Sequence, residues 1–395
     1  MIARFEYEPF ATSCFSSMLN SFSFAISLII PINSSKNANL MKITNFGALK
    51  LKRMNKIKFW FDNARPISLP QSMLPALTAV ALSYSKVQGA EFSWIAAIAS
   101  VFGVMFLHLG MNLLDDWFDW KKGSAEARQQ VANEGFRGRM VKYPYLTSGA
   151  ATPKQLLGAV GVFLGLAAVM GVVVLVVRGW MILGWVVAAL VIGISYSGGP
   201  LKLGFRGLGE LVIFLMFGPL MMSGVYYAIT GTLDWKITWL SVAVGLLVTN
   251  IVYSHSVLDA IPDKKMGKKT MAHLMGGPKG QIFLSALINT VPYLMVVAAV
   301  AIRLFGLSLP VEGLHWAYLA VLVMLPVSLW LVGSLNDHVM GREVDLEPKK
   351  WMGNMGEWEK YKEAGVAWFL LRWLTARNIV TNFCIIIIIV NFIVG

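Results

Sequence analysis

Asn112-Leu113-Leu114-Asp115-Asp116-Trp117-Phe118-Asp119 closes a long apolar run that begins near residue 93. Asp115, Asp116 and Asp119 follow Asn112 by 3, 4 and 7 residues, so a helix carries all four on one face. Carboxylates that close repel one another unless a cation lies between them. Hard divalent cations such as Mg²⁺ take oxygen ligands, one or two carboxylates together with phosphate oxygens and water. Such a cluster at the end of a membrane-length segment is a functional-site hypothesis by default. A solvated acidic helix end is the plain alternative.

Around this stretch the composition is that of a multi-pass membrane protein. The 395 residues are 56% hydrophobic and 14% charged, against about 25% charged in soluble globular chains. Cys14 and Cys384 are far apart and stand in no metal or redox spacing, so neither a disulfide framework nor thiol chemistry is indicated. Nine apolar segments reach spanning length, at about 67–86, 93–119, 153–177, 180–197, 207–230, 237–259, 281–303, 313–334 and 376–394. The expectation is an all-α polytopic fold of nine transmembrane helices. Trp94, Trp117, Trp180, Trp235, Trp239 and Trp316 stand near segment ends, as interface anchors do. Pro75, Pro219, Pro292 and Pro326 fall inside segments and should kink them.

Residues 1–53 do not conform. Their apolar run, Phe22 to Ile30, is too short to span a bilayer, and Arg4 is offset by Glu6 and Glu8, unlike the basic start of a signal peptide. The expectation is an overlong gene start, with Met54-Asn55-Lys56 leading into the membrane domain, 54–395.

The net charge of +13 is set by topology. Lys86, Arg178, Lys236 and Arg303 stand alone in four short connections, while 30 of the 34 Lys and Arg fall on the other side. Cytoplasmic loops carry such an excess, which puts the N-terminus in the cytoplasm and the C-terminus outside. Anionic lipid or a diphosphate accounts for the charge, and no nucleic acid is needed. Within 335–377, Trp351, Trp358, Tyr361, Trp368, Phe369 and Trp373 alternate with Lys and Glu, which predicts an interfacial helix in a cytoplasmic insertion.

A second cluster, Asp259-Ala260-Ile261-Pro262-Asp263-Lys264-Lys265-Met266-Gly267-Lys268-Lys269-Thr270, closes the sixth segment on the same side as the first. Pro262 should push Ile261 toward an extended conformation, so that Asp259 ends the helix and Asp263 starts the next element. Taken alone, this is a helix end followed by a basic loop. Two carboxylate groups facing each other can hold two or three Mg²⁺ ions, which stabilise a diphosphate as a leaving group, and adjacent Lys and Arg add charge-assisted hydrogen bonds. A diphosphate site opening on a membrane implies an isoprenoid tail. Asp-Asp-Trp-Phe-Asp matches the DDxxD pattern of soluble isoprenoid synthases, whose fold the nine spans exclude.

The chain resembles the UbiA superfamily of membrane prenyltransferases, nearest its menaquinone-type branch. The resemblance covers roughly residues 58–305. It rests on Ala64-Arg65-Pro66, on Asn112–Asp119 with Lys121-Lys122-Gly123, on 196–210 (YSGGPLKLGFRGLGE), and on Asp259–Asp263 with Gly267-Lys268-Lys269-Thr270, in that order. It implies nine helices around a central cavity and Mg²⁺-dependent transfer of a polyprenyl chain from its diphosphate to an aromatic acceptor. The site would face the cytoplasm from the cell (inner) membrane. Asp115, Asp116, Asp119, Asp259 and Asp263 would hold Mg²⁺ and diphosphate, and Asn112 would orient the cluster. Arg65, Lys202, Arg206, Lys264 and Lys268 would meet diphosphate oxygens, or else lipid headgroups. Tyr196 stands where the family has a tyrosine near the reacting carbon.

One departure concerns the acceptor. Menaquinone-type sequences read Asn-Asn-x-Arg-Asp into the second motif, and here His255, Ser256, Val257, Leu258 and Asp259 occupy those places. His255 is then an acceptor contact or base, or a histidine bonded between helices. The acceptor expected is 1,4-dihydroxy-2-naphthoate, with 4-hydroxybenzoate, a chlorophyll-type ring or a glycerol phosphate lipid as alternatives. A transporter would set its carboxylates nearer the bilayer midplane, in broken helices or inverted repeats. An inactive scaffold would not need the full Asp set.

Overall fold

The computed structural model describes residues 56–87, 92–123, 126–127, 143–198, 200–342 and 345–394. The expectations for 1–53 and for a start at Met54 lie outside these residues. Two compact units are present, divided between Leu69 and Pro70. In the first, a helix over 56–63 leads to Arg65, whose backbone is left-handed (φ 60°), and then to a 3₁₀ turn, Pro66–Ser68. Ser68 Oγ donates to the Arg65 carbonyl at 2.8 Å.

Among the described residues of the second unit, nine long helices run in order. They are α1 (Pro70–Lys86), α2 (Trp94–Lys121), α3 (Pro153–Arg178), α4 (Trp180–Ser197), α5 (Gly209–Thr230), α6 (Trp235–Leu258), α7 (Pro278–Leu304), α8 (Trp316–Val339) and α9 (Ala367–Val394). Eight of them, α2 to α9, are long and apolar enough to cross a membrane. α1 has 17 residues, about 25 Å at 1.5 Å per residue and short of a 30 Å hydrocarbon core.

The prolines act in different ways. Pro219 lies in a π-helical turn, Met216–Leu220, inside α5, and Pro326 follows the point where α8 changes from 3₁₀ (Trp316–Met324) to α-helix. Pro262 does not break the chain as expected. It sits in the first turn of a short helix, Ala260–Lys265, where a missing N–H costs nothing. Asp259 ends α6, and the Asp263 N–H bonds back to its carbonyl at 2.9 Å.

α6 is the central helix, with buried residues on every face, and it packs against α5, α7 and α9. Lipid tails are as apolar as Leu, so packing and polar pairs must join the helices. Asn250 of α6 and Asn289 of α7 exchange amide bonds at 2.8 and 2.9 Å. Tyr293 meets Ser328 at 2.7 Å, linking α7 to α8. Tyr318 donates to Asn391 at 3.0 Å, and Asn391 donates to the Ala81 carbonyl at 2.9 Å, carrying the chain of contacts through α9 to α1. α5 and α6 cross at two glycines so closely that a Cβ on Gly218 would stand 2.5 Å from the Gly245 Cα. On α3 and α4, Val169, Val176, Val187 and Val191 are exposed and suit lipid contact.

The 335–377 stretch departs from expectation. Its helical pieces are a 3₁₀ turn, Lys350–Met352, and a six-residue helix, Trp358–Glu363. Trp368, Phe369 and Trp373 belong to α9, which starts nine residues earlier than the segment 376–394. Arg372 and Arg377 are therefore buried helix residues rather than loop charges. Arg372 donates to the Ser334 and Trp368 carbonyls, and Arg377 to the Asn354 carbonyl.

Candidate functional site

Four of the five carboxylates stand at helix C-termini, where the macrodipole is already negative, and Asp263 lies in the first turn of the short helix that follows α6. Asp115, Asp116 and Asp119 lie in the last two turns of α2, and Asp259 caps α6. Asp116, Asp119, Asp259 and Asp263 are all buried, at 4%, 1%, 0% and 1% exposure. That much buried negative charge requires cations or protons.

The carboxylates of Asp115, Asp116, Asp259 and Asp263 are each engaged by a side chain, and Asp119 is held through its backbone carbonyl. Ser197, the last residue of α4, donates its hydroxyl to Asp115. Tyr145 donates its phenol to Asp116 Oδ2 at 3.0 Å, and Tyr143 donates to the Asp119 carbonyl at 3.3 Å. Lys122 bonds the Ser197 carbonyl at 3.4 Å and lies 3.6 Å from the centre of the Phe205 ring. In the second cluster, His255 Nε2 is 3.0 Å from Asp259 Oδ2, and Lys268 Nζ is 3.2 Å from Asp263 Oδ2. The His255 ring also meets Phe369 of α9 edge-on, at 5.2 Å.

The two loops beyond these helices are zipped together. Arg206 and Lys269 form a parallel bridge, in which the Gly207 N–H donates to the Lys269 carbonyl and the Lys269 N–H to the Phe205 carbonyl. Gly207 needs its φ of 81° for this turn, and a Cβ there would strike Leu274 at 2.4 Å. His273 closes the basic loop from the other side. Its Nε2–H donates to the Ala260 carbonyl at 2.7 Å, so its Nδ1 accepts from the Thr270 N–H at 3.0 Å.

Glu210 ties α5 to α6. Its buried carboxylate accepts from Ser256 Oγ at 2.7 Å and from the Met271 N–H at 3.3 Å. Tyr196 precedes Ser197 at the end of α4, next to the hydroxyl that reaches Asp115. Its ring is covered by glycines: a Cβ on Gly204 or Gly209 would stand 3.3 or 3.2 Å from it.

The sequence-derived set divides as follows. The five aspartates, Asn112, Tyr196, His255 and Lys268 all belong to the second unit at or beside the converging ends of α2, α4 and α6. Lys202, Arg206 and Lys264 are exposed on the adjoining loops, and Lys202 is held with φ 47°. Arg65 lies in the first unit. Sequence reading missed the braces Tyr143, Tyr145, Ser197, Glu210 and Ser256. Glu210 had a signal, being the lone acid opening an apolar helix. Tyr143 and Tyr145 had none, because nothing in their spacing relates them to residues 116–119.

The donors are all carboxylate oxygens, which suit Mg²⁺. Among the described residues no three His, Cys, Asp or Glu side chains form a complete metal cage. A cation that completes its shell with phosphate oxygens and water needs only one or two carboxylates, so the set fits.

Residues 72–341 match the model of the UbiA prenyltransferase family. The 1,4-dihydroxy-2-naphthoate octaprenyltransferase of Haemophilus influenzae is 27% identical over 282 residues, covering 68% of this chain and 88% of that protein. The protein of the same name from Bacillus subtilis is 29% identical over 238 residues, covering 60% and 71%. The structure of a UbiA homolog from Archaeoglobus fulgidus bound to GPP and Mg²⁺ superimposes with a TM-score of 0.52 at 14% identity, over 83% of this chain and 99% of that one.

Proposed function

The chain belongs to the UbiA prenyltransferase family, and from that premise we propose that it transfers a polyprenyl chain from its diphosphate to 1,4-dihydroxy-2-naphthoate. It is a multi-pass membrane transferase that moves an alkyl group other than methyl. The observation that supports this reading is that side chains engage the carboxylates of both clusters while the loops beyond them are bridged at Arg206 and Lys269.

Asp115, Asp116, Asp119, Asp259 and Asp263 would hold Mg²⁺, oriented by Asn112. When bound, Mg²⁺ neutralises a diphosphate and makes it a better leaving group. Lys268 sits against Asp263, ready to meet a diphosphate oxygen. Lys202, Arg206 and Lys264, all in the second unit, are assigned to the same anion. The allylic C–O bond breaks and the diphosphate leaves with the electron pair. Tyr196 is assigned to the carbon that gains positive charge, which an aromatic face would stabilise. The electron-rich acceptor carbon forms the new C–C bond, and its proton or carboxylate is lost. Names of the naphthoate-using relatives support this acceptor. His255 pairs with Asp259 and Ser256 donates to Glu210, which supports a bracing role for both beside the naphthoate reading.

Nine crossings and a cytoplasmic N-terminus and site in the cell membrane complete the proposal. Charge supports the orientation, since the bias in Lys and Arg survives removal of Arg372 and Arg377. The test is transfer from radiolabelled farnesyl diphosphate in membranes, with a panel of naphthoate, hydroxybenzoate, chlorophyll-type and glycerol phosphate acceptors. A prenylated 1,4-naphthalenediol, read as its quinone after oxidation by air, that disappears with EDTA is the expected product. Transfer to another panel member refutes the acceptor and leaves the reaction standing.

A further inference from the structure

His108 lies inside α2, in the part that crosses the membrane. It precedes Asn112 by 4 residues, Asp115 by 7 and Asp119 by 11, so it continues their face of the helix. An ionisable side chain at that depth is costly and rare unless it has work to do. Nδ1 of its ring is 2.6 Å from Ser72 Oγ of α1, and Ser72 is fully buried. From the other side, Phe217 of α5 meets the ring edge-on at 5.4 Å, within the π-helical turn. Contacts with α1 and α5 turn His108 toward the helices rather than toward lipid, and the residue is only half-buried there. Single π turns inside α-helices recur at functional sites.

We infer that His108, held by Ser72, is an acceptor-binding residue whose imidazole hydrogen-bonds a ring hydroxyl of the aromatic acceptor. This rests on the transfer reading above. The diphosphate is assigned to Asp115–Asp119, and the reacting carbon is bonded to it. The attacking ring must then lie against that carbon, on the membrane side of the carboxylates. His108 stands about 10 Å below Asp115 along the helix axis, at 1.5 Å per residue. A prenyl tail has only C–H groups and gives an imidazole nothing to bond. The acceptor alone brings hydroxyls to this depth. Phe217 supplies an aromatic edge to pack the same ring. Met111 adds a soft apolar wall: with Met216 of α5 it reaches α4, where a Cβ on Gly193 would meet their methyl carbons at 3.6 and 3.8 Å.

The experiment is equilibrium binding to the purified full-length protein, so that turnover is not required. The probes are 1,4-dihydroxy-2-naphthoate and, separately, geranyl diphosphate with Mg²⁺. His108→Ala should weaken naphthoate binding about tenfold, the loss of one good hydrogen bond, and leave geranyl diphosphate within twofold. His108→Gln, which keeps a donor and an acceptor, should recover most of the affinity. Ser72→Ala, which frees the ring to turn, should fall between. Steady-state KM for the acceptor should follow the same order, with KM for the prenyl diphosphate unchanged. Equal naphthoate affinity in wild type and His108→Ala overturns the inference, as does equal weakening of both ligands, which marks a structural role. A wild type that binds none of the acceptors overturns it too. Naphthoate binding that depends on His108, in a protein that transfers nothing, upholds the inference and removes the transfer reading alone.

Discussion

His255 and Asp259, one helical turn apart at the end of α6, are joined through Nε2 and Oδ2 at 3.0 Å. The histidine aims a carboxylate assigned to metal. Partners of this kind change metal affinity or activity by about 10–100-fold when removed. His255→Ala is expected to raise the Mg²⁺ concentration for half-maximal transfer by at least about tenfold. His255→Gln should lose less. A Mg²⁺ titration of membrane activity reads both, and an unchanged midpoint would show that His255 does not act through Asp259.

Asp116→Ala and Asp263→Ala remove buried carboxylates from the two clusters. Each should lower transfer by about 10³-fold or more, since Lewis-acid stabilisation is worth several kcal/mol. Both proteins should still insert and be recovered from the membrane fraction. Tyr145→Phe removes one hydrogen bond to Asp116, and a loss of about tenfold or less is expected. Parallel assays of protein level and rate check the series, and wild-type rates in either alanine variant would dismiss the carboxylate site.

Glu210→Ala leaves the Ser256 hydroxyl and the Met271 N–H without their acceptor. A buried group left unsatisfied costs about 1–3 kcal/mol. The variant should unfold at lower temperature in detergent and bind prenyl diphosphate more weakly, because Met271 anchors the end of the Lys264–Thr270 loop. Glu210→Gln keeps an acceptor oxygen and should restore most of both. Thermal unfolding beside ligand binding distinguishes bracing from bulk instability.

Glycines on α5 and α3 should behave oppositely. Gly218→Val places a side chain where α5 and α6 touch, and overpacking of about 1–3 kcal/mol or more follows. Gly165→Ala on α3 meets nothing within 4 Å and should be neutral or slightly stabilising. Expression and melting of the two variants in parallel test the crossing.

Hydropathy located the long helices because each apolar run must be helical to satisfy its backbone in lipid. It erred where polarity and helicity part company. α1 carries Gln71, Ser72, Thr78 and Ser83 buried against its neighbours, so with 17 residues it is the shortest and most polar of the nine. The start of α9 was underestimated, because Arg372 and Arg377 read as loop charges although their guanidinium groups cap carbonyls inside the fold. Pro262 read as a breaker because sequence does not reveal which turn of a helix a proline will occupy.

At the site, the aspartates of α2 drew attention by their spacing, since positions 3, 4 and 7 after Asn112 share a helix face, and the second cluster gained weight from lying on the same side. The braces were not. Tyr145 reaches Asp116 across 29 residues, and Ser197 reaches Asp115 across 82. Such pairs are made by packing, and no local pattern encodes them. His108 carried a readable signal, an imidazole within a predicted span, which the nearby carboxylates overshadowed.

The bridge between Arg206 and Lys269 has a consequence for how this protein can vary. Two loops from separate parts of the chain share one hydrogen-bonded register, so neither can change length alone without pulling its lysines and arginine out of step with the other. Insertions that other surface turns absorb freely would be filtered out at these two, unless matched by a compensating change across the bridge.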